Sequence, residues 1–329
     1  MTKAARFHRL GGPDVLQIED IPVGEPGVGE ILVAVETIGL NRGESLFREG
    51  KYAVQPILPC LVGAEGSGVI EALGEGVSGF AEGDRINVLP TFRPGAYGLC
   101  AERAIIPVAS VVPALKGISP IAAAAVWVAY STAYALVELA NIGPGDFVIV
   151  PAASSSVGIA AIQIALSVGA TPIATTRRND KIAALRSLGA THVIATEESD
   201  LVAEVLRITD GKGARVAFDP VAGPYVNTLA NAMADEGIIL IYGDLSGQPT
   251  PYPTWLAAGK GLSMRGFVAP NHIWGRPDRF ARTRAFIEHG LANGTLKPIV
   301  ARTFPLELVA EAHRYLESNA QVGKVVITV

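Results

Sequence analysis

Residues 150–166 read VPAASSSVGIAAIQIAL. The stretch is an apolar strand end, a turn of small residues and a long aliphatic helix. That layout belongs to a dinucleotide-binding turn, whose glycines allow a tight bend, a close backbone approach to a pyrophosphate, and close helix–strand packing. Of a G-x-G-x-x-G pattern only Gly158 remains, with Ala153 and Ser155 where the first two glycines would sit. Size, not glycine identity, is what the second position demands, and the Ser155 hydroxyl can itself donate to a phosphate oxygen. The helix start adds free N–H groups and the positive end of its dipole.

Working outward, GPGDFVIV (143–150) is a turn feeding a buried strand, Phe147–Val150. Val157, Ala161, Ile164 and Val168 then recur at helical spacing. Thr171–Thr175 reads as a second strand, followed by a helix over Asp180–Leu188 that Gly189 closes. Val193–Ile194, Val216–Phe218, Ile238–Tyr242 and Leu262–Phe267 continue the strands, with a helix over Asp200–Thr209 between the first two. Strands alternating with helices predict a parallel, doubly wound sheet. The second strand ends in IATTRRND (173–180), where a carboxylate would accept hydrogen bonds from an adenosine ribose. Thr176, Arg177 and Arg178 stand there instead, and a guanidinium pair matches a 2′-phosphate, so NADPH is the expected cofactor. Asp180 reads as a helix-start residue. FDPVAG (218–223) and IYGDLSG (241–247) lie at strand ends where ligands gather in such sheets, which makes Val221, Gly243 and Phe267 candidates for the nicotinamide pocket.

Residues 1–120 have a different texture, with short β-type runs such as Ile31–Val35 and Ile86–Leu89 between close-spaced turns, and they predict a compact barrel or sandwich. After the sheet come helices around Arg282–Ala292 and from Pro305 to Leu316, then a lone strand, Lys324–Val329, expected to pair with the N-terminal region. The most membrane-like stretch, Ile121–Val137, is alanine-rich, contains Ser131 and Thr132, and reads as too short to span. A buried helix between domains is the expectation. Of the 329 residues 49% are hydrophobic and 18% charged, which suits a sizeable core rather than disorder. The net charge of −4 disfavours a nucleic-acid binder, which displays a basic stripe. Two cysteines make no disulfide framework, and MTKAARFHRLGGPD has no apolar signal segment, so the expected location is the cytoplasm.

Three blocks, GLNRGE (39–44), LVGAEGSGVIEALGEGVSGFAEGDRI (61–86) and FPLELVAEAHRYLESNAQVGKVVITV (304–329), resemble the medium-chain dehydrogenase/reductase superfamily, in its quinone oxidoreductase branch. The resemblance covers essentially the whole chain. It implies an α/β protein with a GroES-like β-rich catalytic domain (1–122), a Rossmann NADPH-binding domain (123–266) and a return to the catalytic domain (267–329), with the active site in the cleft and a homodimer as the assembly. It extends the expected cofactor set to Thr132, Ser154, Ser155, Ser156, Val157, Gly158, Thr176, Arg177, Arg178, Val221, Tyr242, Gly243, Phe267 and Lys324. Zinc relatives carry a Cys and a Gly-His-Glu where this chain has Asn41 and Gly63-Ala64-Glu65, so two ligand types are missing. His8, His192, His272, His289 and His313 show no ligand spacing, the four-cysteine structural lobe is absent, and no metal is expected. Glu65 reads as an internal hydrogen-bonding group.

Without a Lewis acid, electrophiles that spread the arriving charge are favoured, since a hydroquinone anion or enolate needs only hydrogen-bond donors. Asn41 offers a side-chain NH2, and Tyr52 in REGKYAVQP (48–56) offers a phenol that the resemblance places near the nicotinamide. These two are the expected catalytic residues. Arg42 can attract an acidic substrate or pair with Glu44. TFRPGAYGLCAERAII (91–106) inserts Gly98–Cys100 relative to the family, and Trp274 and His272 are expected to flank the substrate mouth. The leading expectation is NADPH-dependent reduction of a quinone, with α,β-unsaturated carbonyls or enoyl thioesters as the alternative electrophiles. Arg42, Arg93, Arg276 and Arg279 are the residues able to form a basic rim for a coenzyme A thioester. A non-catalytic NADPH-binding protein, crystallin-like or RNA-associated, is the third reading. No membrane or nucleic-acid partner is expected.

Overall fold

The computed structural model describes all 329 residues, and they divide into two compact units: Met1–Val128 with Pro298–Val329, and Ala129–Lys297. The expected boundaries at 122/123 and 266/267 shift accordingly. The later shift is the larger, because the helical segments after residue 266 pack into the second unit.

The first unit opens with β1 (Thr2–Phe7), β2 (Leu16–Ile21), β3 (Glu30–Gly39), α1 (Arg42–Arg48), β4 (Cys60–Leu61), β5 (Glu65–Leu73), β6 (Arg85–Val88), β7 (Arg103–Pro107) and β8 (Val111–Pro113). The strand β3 alternates as a half-buried strand should, with Ile31, Val33 and Val35 inward. It pairs antiparallel with both β5 and β7. Three strands, β2-β1-β4, form a separate small sheet.

The apolar stretch is helical over Pro120–Glu138 as α2 (Pro120–Ala123), α3 (Trp127–Ala133) and α4 (Ala135–Glu138). It is long and apolar enough to cross a membrane, longer than expected. Most of it is nevertheless buried inside the protein, as in the core helix of a soluble fold.

The second unit continues with β9 (Phe147–Val150), α5 (Ser156–Ser167), β10 (Thr171–Thr176), α6 (Ile182–Ser187), β11 (His192–Ala195), α7 (Leu201–Ile208), β12 (Ala214–Asp219), α8 (Tyr225–Ala232), β13 (Met233–Ile241), α9 (Thr254–Lys260), β14 (Ser263–Gly266) and α10 (Pro277–Asn293). Its six strands run parallel in the order β11-β10-β9-β12-β13-β14, a doubly wound sheet. Asp200 caps α7 by accepting from the amides of Val202 and Ala203. Asp180 does not cap: it lies inside a 3-10 turn, Asn179–Lys181, that precedes α6.

The chain then re-enters the first unit through β15 (Val300–Pro305), α11 (Val309–Glu317) and β16 (Lys324–Thr328). The strand β16 pairs antiparallel with β3, Val326 opposite Gly39, as expected of a terminal strand that must pair in the N-terminal region. The expected helix from Pro305 starts later, at Val309. The preceding VARTFP is a strand parallel to β16, and Phe304 from it enters the core. Gly39 has no room for a side chain: a Cβ there would lie 2.0 Å from the Ala124 carbonyl and 2.7 Å from the Lys324 Cε.

Candidate active site

In the second unit the turn after β9 is built by removing side chains. Ala152 takes a left-handed conformation, φ 47°, so the tight bend falls one residue before Ala153, where the motif places its first glycine. Ala153 is fully buried under the turn. A Cβ on Gly158 would meet the Ala152 carbonyl and the Ala153 Cα at 2.7 Å, so only glycine lets α5 lie this close to the strand. Ser155 caps α5, its Oγ accepting from the Gly158 amide at 3.0 Å, which leaves the hydroxyl proton to donate outward. The amides of Ser156 and Val157 have no acceptor. Two free amides, a hydroxyl proton and the positive end of a twelve-residue helix make a cradle that fits a pyrophosphate.

Thr176 ends β10, and Arg177 and Arg178 follow it, both exposed. Arg178 holds Glu197 at 3.0 Å, while Arg177 is in no ion pair. Sequence reasoning missed Lys181. Its Nζ lies 3.1 Å from the Ser154 Oγ, which ties the end of the second strand to the turn, and partial burial lowers its pKa. The signal was a third basic residue close after the Arg pair, hidden because Asp180 and Lys181 were read only as a helix start. These residues fit a phosphorylated dinucleotide.

At the same sheet edge, Asp219 accepts from the amides of Val221 and Ala222 at 2.8 and 3.1 Å and so shapes the turn after β12. Burial raises its carboxyl pKa. Gly243 passes Pro220 closely enough that a Cβ would sit 2.7 Å from its carbonyl. Tyr242 stacks on Phe218 with ring centroids 4.3 Å apart, and Phe267 stacks on Phe218 at 6.1 Å. Phe267 is thus mostly buried in an aromatic layer. The Tyr242 hydroxyl is buried with no partner, an orphaned donor at the edge where a ligand is expected. Burial pushes its pKa well up, so it stays protonated. Thr132 is buried within α3.

The first unit holds a different construction. Lys324 and Glu65, each 1% exposed, form a buried ion pair through Nζ and Oε1. The Lys324 Nζ also donates to the Asn41 Oδ1 at 2.7 Å. The Asn41 Nδ2 donates to Glu65 Oε1 at 3.0 Å and to the Gly39 carbonyl at 3.1 Å. That pattern fixes the amide orientation, since the reverse flip would aim an oxygen at two acceptors. The other Glu65 oxygen accepts from the Val128 amide at 2.9 Å, so Glu65 is the internal hydrogen-bonding group the sequence suggested. Glu44 reaches back to the Asn41 amide at 3.1 Å, closing a capping box on α1, and its second oxygen accepts from Gly63 at 3.2 Å. Burial pushes the Glu44 carboxyl up to about 7, against the lowering pull of Lys324.

This cluster revises two expectations. Both amide hydrogens of Asn41 are committed inside the protein, so it positions α1 rather than offering a free donor. Lys324 is likewise taken up by Glu65 and Asn41, so its ammonium is committed within the first unit. Arg42 does not pair with Glu44, whose oxygens are occupied; one of its terminal nitrogens is buried without a partner. Tyr52 lies partly buried against the core, and its hydroxyl makes no hydrogen bond within the protein. No group of three or more His, Cys, Asp or Glu side chains converges as a metal site needs. His313 is buried against Arg48, 3.0 Å from Nδ1, and its pKa falls to about 3 through burial and that neighbour. His272 bonds the Val268 carbonyl, and Trp274 beside it is largely buried.

Residues 27–131 match the alcohol dehydrogenase GroES-like domain, and residues 156–288 match the zinc-binding dehydrogenase family. The quinone oxidoreductase of Lama guanicoe is 30% identical over 99% of this chain and 97% of its own. A 2-haloacrylate reductase from a Burkholderia species is 29% identical over 99% of both chains. The Escherichia coli quinone oxidoreductase, solved in complex with NADPH, superposes with a TM-score of 0.91 at 28% identity, covering 99% of this chain and 100% of that one.

Proposed function

The chain belongs to the quinone oxidoreductase branch of the medium-chain dehydrogenase/reductase superfamily, and from that premise we propose that it is a zinc-independent reductase that passes hydride from NADPH to a quinone. The observation that carries the metal-free part is the Lys324–Glu65–Asn41 cluster. The carboxylate that a metal would need is neutralised by an internal ammonium, and Asn41 and Ala64 offer no zinc ligand beside it. The donor set therefore does not fit the zinc named in the family description, and no step here runs through one.

NADPH, bound at the turn, supplies a hydride from its nicotinamide ring. The chain's own work is to hold the cofactor and receive the charge that develops on the acceptor. Gly158, the Ser156 and Val157 amides and Ser155 grip the pyrophosphate. Arg177, Arg178 and Lys181 favour the extra phosphate that distinguishes NADPH from NADH. Tyr52, with its hydroxyl uncommitted, hydrogen-bonds the quinone oxygen and delivers the proton that completes the hydroquinone. Asn41, Glu65 and Lys324 act through α1, fixing the segment that leads into Tyr52. We place the enzyme in the cytoplasm as a homodimer.

A second reading, reduction of activated alkenes, shares this chemistry and is favoured by the likeness to a 2-haloacrylate reductase. NADPH consumption with 1,4-benzoquinone and with a 2-alkenal, assayed side by side, decides between them. Quinone turnover at least tenfold above the alkenal rate supports the first reading. Alkenal turnover alone transfers the protein to the second, and turnover of neither contradicts both.

A further inference from the structure

One face of the second unit reverses the sign of this acidic protein. Arg265, His272, Arg276, Asp278, Arg279 and Arg282 line an open cavity of about 660 Å³. Glu138 pairs with Arg282 at 2.6 Å and with Arg279 at 3.3 Å. Asp278 faces Arg282. Four guanidinium groups against two carboxylates leave two positive charges, and Arg265 and Arg276 are exposed and in no ion pair. The seventeen-residue helix α10 begins in the same cavity without a side-chain cap, and the amides of Asp278 and Arg279 have no acceptor. Arginine forks, free helix amides and a surplus of two charges together match a phosphate dianion.

The cavity is too large for phosphate alone and falls in the range of sites that take a whole small molecule. The cofactor's phosphates are already served by the turn and by Arg177, Arg178 and Lys181 on the other side of the sheet order. Arg265 sits on β14, two residues before Phe267 at the sheet edge expected to receive the nicotinamide. We propose that this cavity binds the phosphate groups of a second molecule, the nucleotide end of a coenzyme A thioester whose acyl chain is the hydride acceptor. The carrier identity rests on the second reading above; the anion site does not.

The test uses the intact protein saturated with NADPH and titrated calorimetrically with 3′-phosphoadenosine 5′-phosphate. Binding is expected, and Arg265→Gln combined with Arg276→Gln weakens it at least about tenfold. Because both side chains are exposed, the double variant keeps its fold, checked by unchanged turnover of a simple quinone or alkenal. With crotonyl-coenzyme A as substrate, the same variant raises KM about tenfold and leaves kcat within about twofold. Absence of binding, or binding that survives the double variant, overturns the site. Binding lost in the variant with no turnover of crotonyl-coenzyme A overturns the thioester carrier and leaves the anion site standing.

Discussion

The two units build their working surfaces by opposite means. The turn after β9 works through what it lacks: no Cβ at Gly158, no side chain wider than a methyl at Ala152 or Ala153, and free amides at Ser156 and Val157. The cluster around α1 works through what it packs in: a buried ammonium and carboxylate, with a half-buried carboxyl group and amide, all mutually satisfied. A surface made of absent side chains tolerates loss of polarity but not added volume. A surface made of buried charge tolerates neither the loss of a partner nor a change of protonation.

Removing one partner gives the largest effect. Lys324→Met leaves Glu65 buried and uncompensated, and a stability loss of about 3–5 kcal/mol is expected in chemical denaturation. Adding Glu65→Gln should recover part of that loss, and if it does not, the ion pair is not what holds α1. In the other unit, Gly158→Val drives methyl groups into the Ala152–Ala153 backbone and lifts α5 from the sheet. NADPH affinity, followed by nicotinamide fluorescence, should fall by about a hundredfold, roughly 3 kcal/mol.

Protonation sharpens the contrast next. A carboxyl whose folded pKa of about 7 exceeds its ordinary 4.5 binds its proton better when folded. Glu44 therefore makes stability fall as pH rises from about 4.5 to about 7, by something on the order of 3 kcal/mol, with no further change above. His313 acts in the opposite sense: with its pKa lowered to about 3, stability falls as pH drops below 6.5. The Glu44 share is isolated by difference, since Glu44→Gln keeps a carbonyl for the Asn41 amide and should abolish only the upper slope.

Two smaller effects concern chemistry rather than folding. Tyr52→Phe should lower kcat with quinone ten- to a hundredfold while leaving NADPH affinity unchanged. Arg177→Gln with Arg178→Gln should cost about tenfold in NADPH affinity, near 1.4 kcal/mol, and nothing in NADH affinity. Equal losses for both cofactors would show that the pair is only a solvated charge beside Glu197.

The parallel sheet was legible because its signals are local. Phe147–Val150 reads as a buried strand from its own composition, and Gly158 announces the turn. The cluster was not legible, because its members lie at 41, 44, 65 and 324, and only the pairing of β3 with both β5 and β16 brings them together. Asn41 therefore looked like a free donor and Lys324 like a cofactor ligand. VARTFP escaped for a related reason: its strand character comes from pairing with β16, whereas the residues after it carry a strong helical period. Lys181 was passed over because Asp180 resembled a cap, a reading that the 3-10 turn overrides.

The most direct measurement is quinone-dependent NADPH oxidation by protein dialysed against excess chelator, with bound metal quantified in the same sample. Full turnover with less than one-tenth of a metal ion per chain is the expected result, with the Tyr52 phenol in place of a Lewis acid. Activity that disappears on dialysis and returns with added zinc would contradict it.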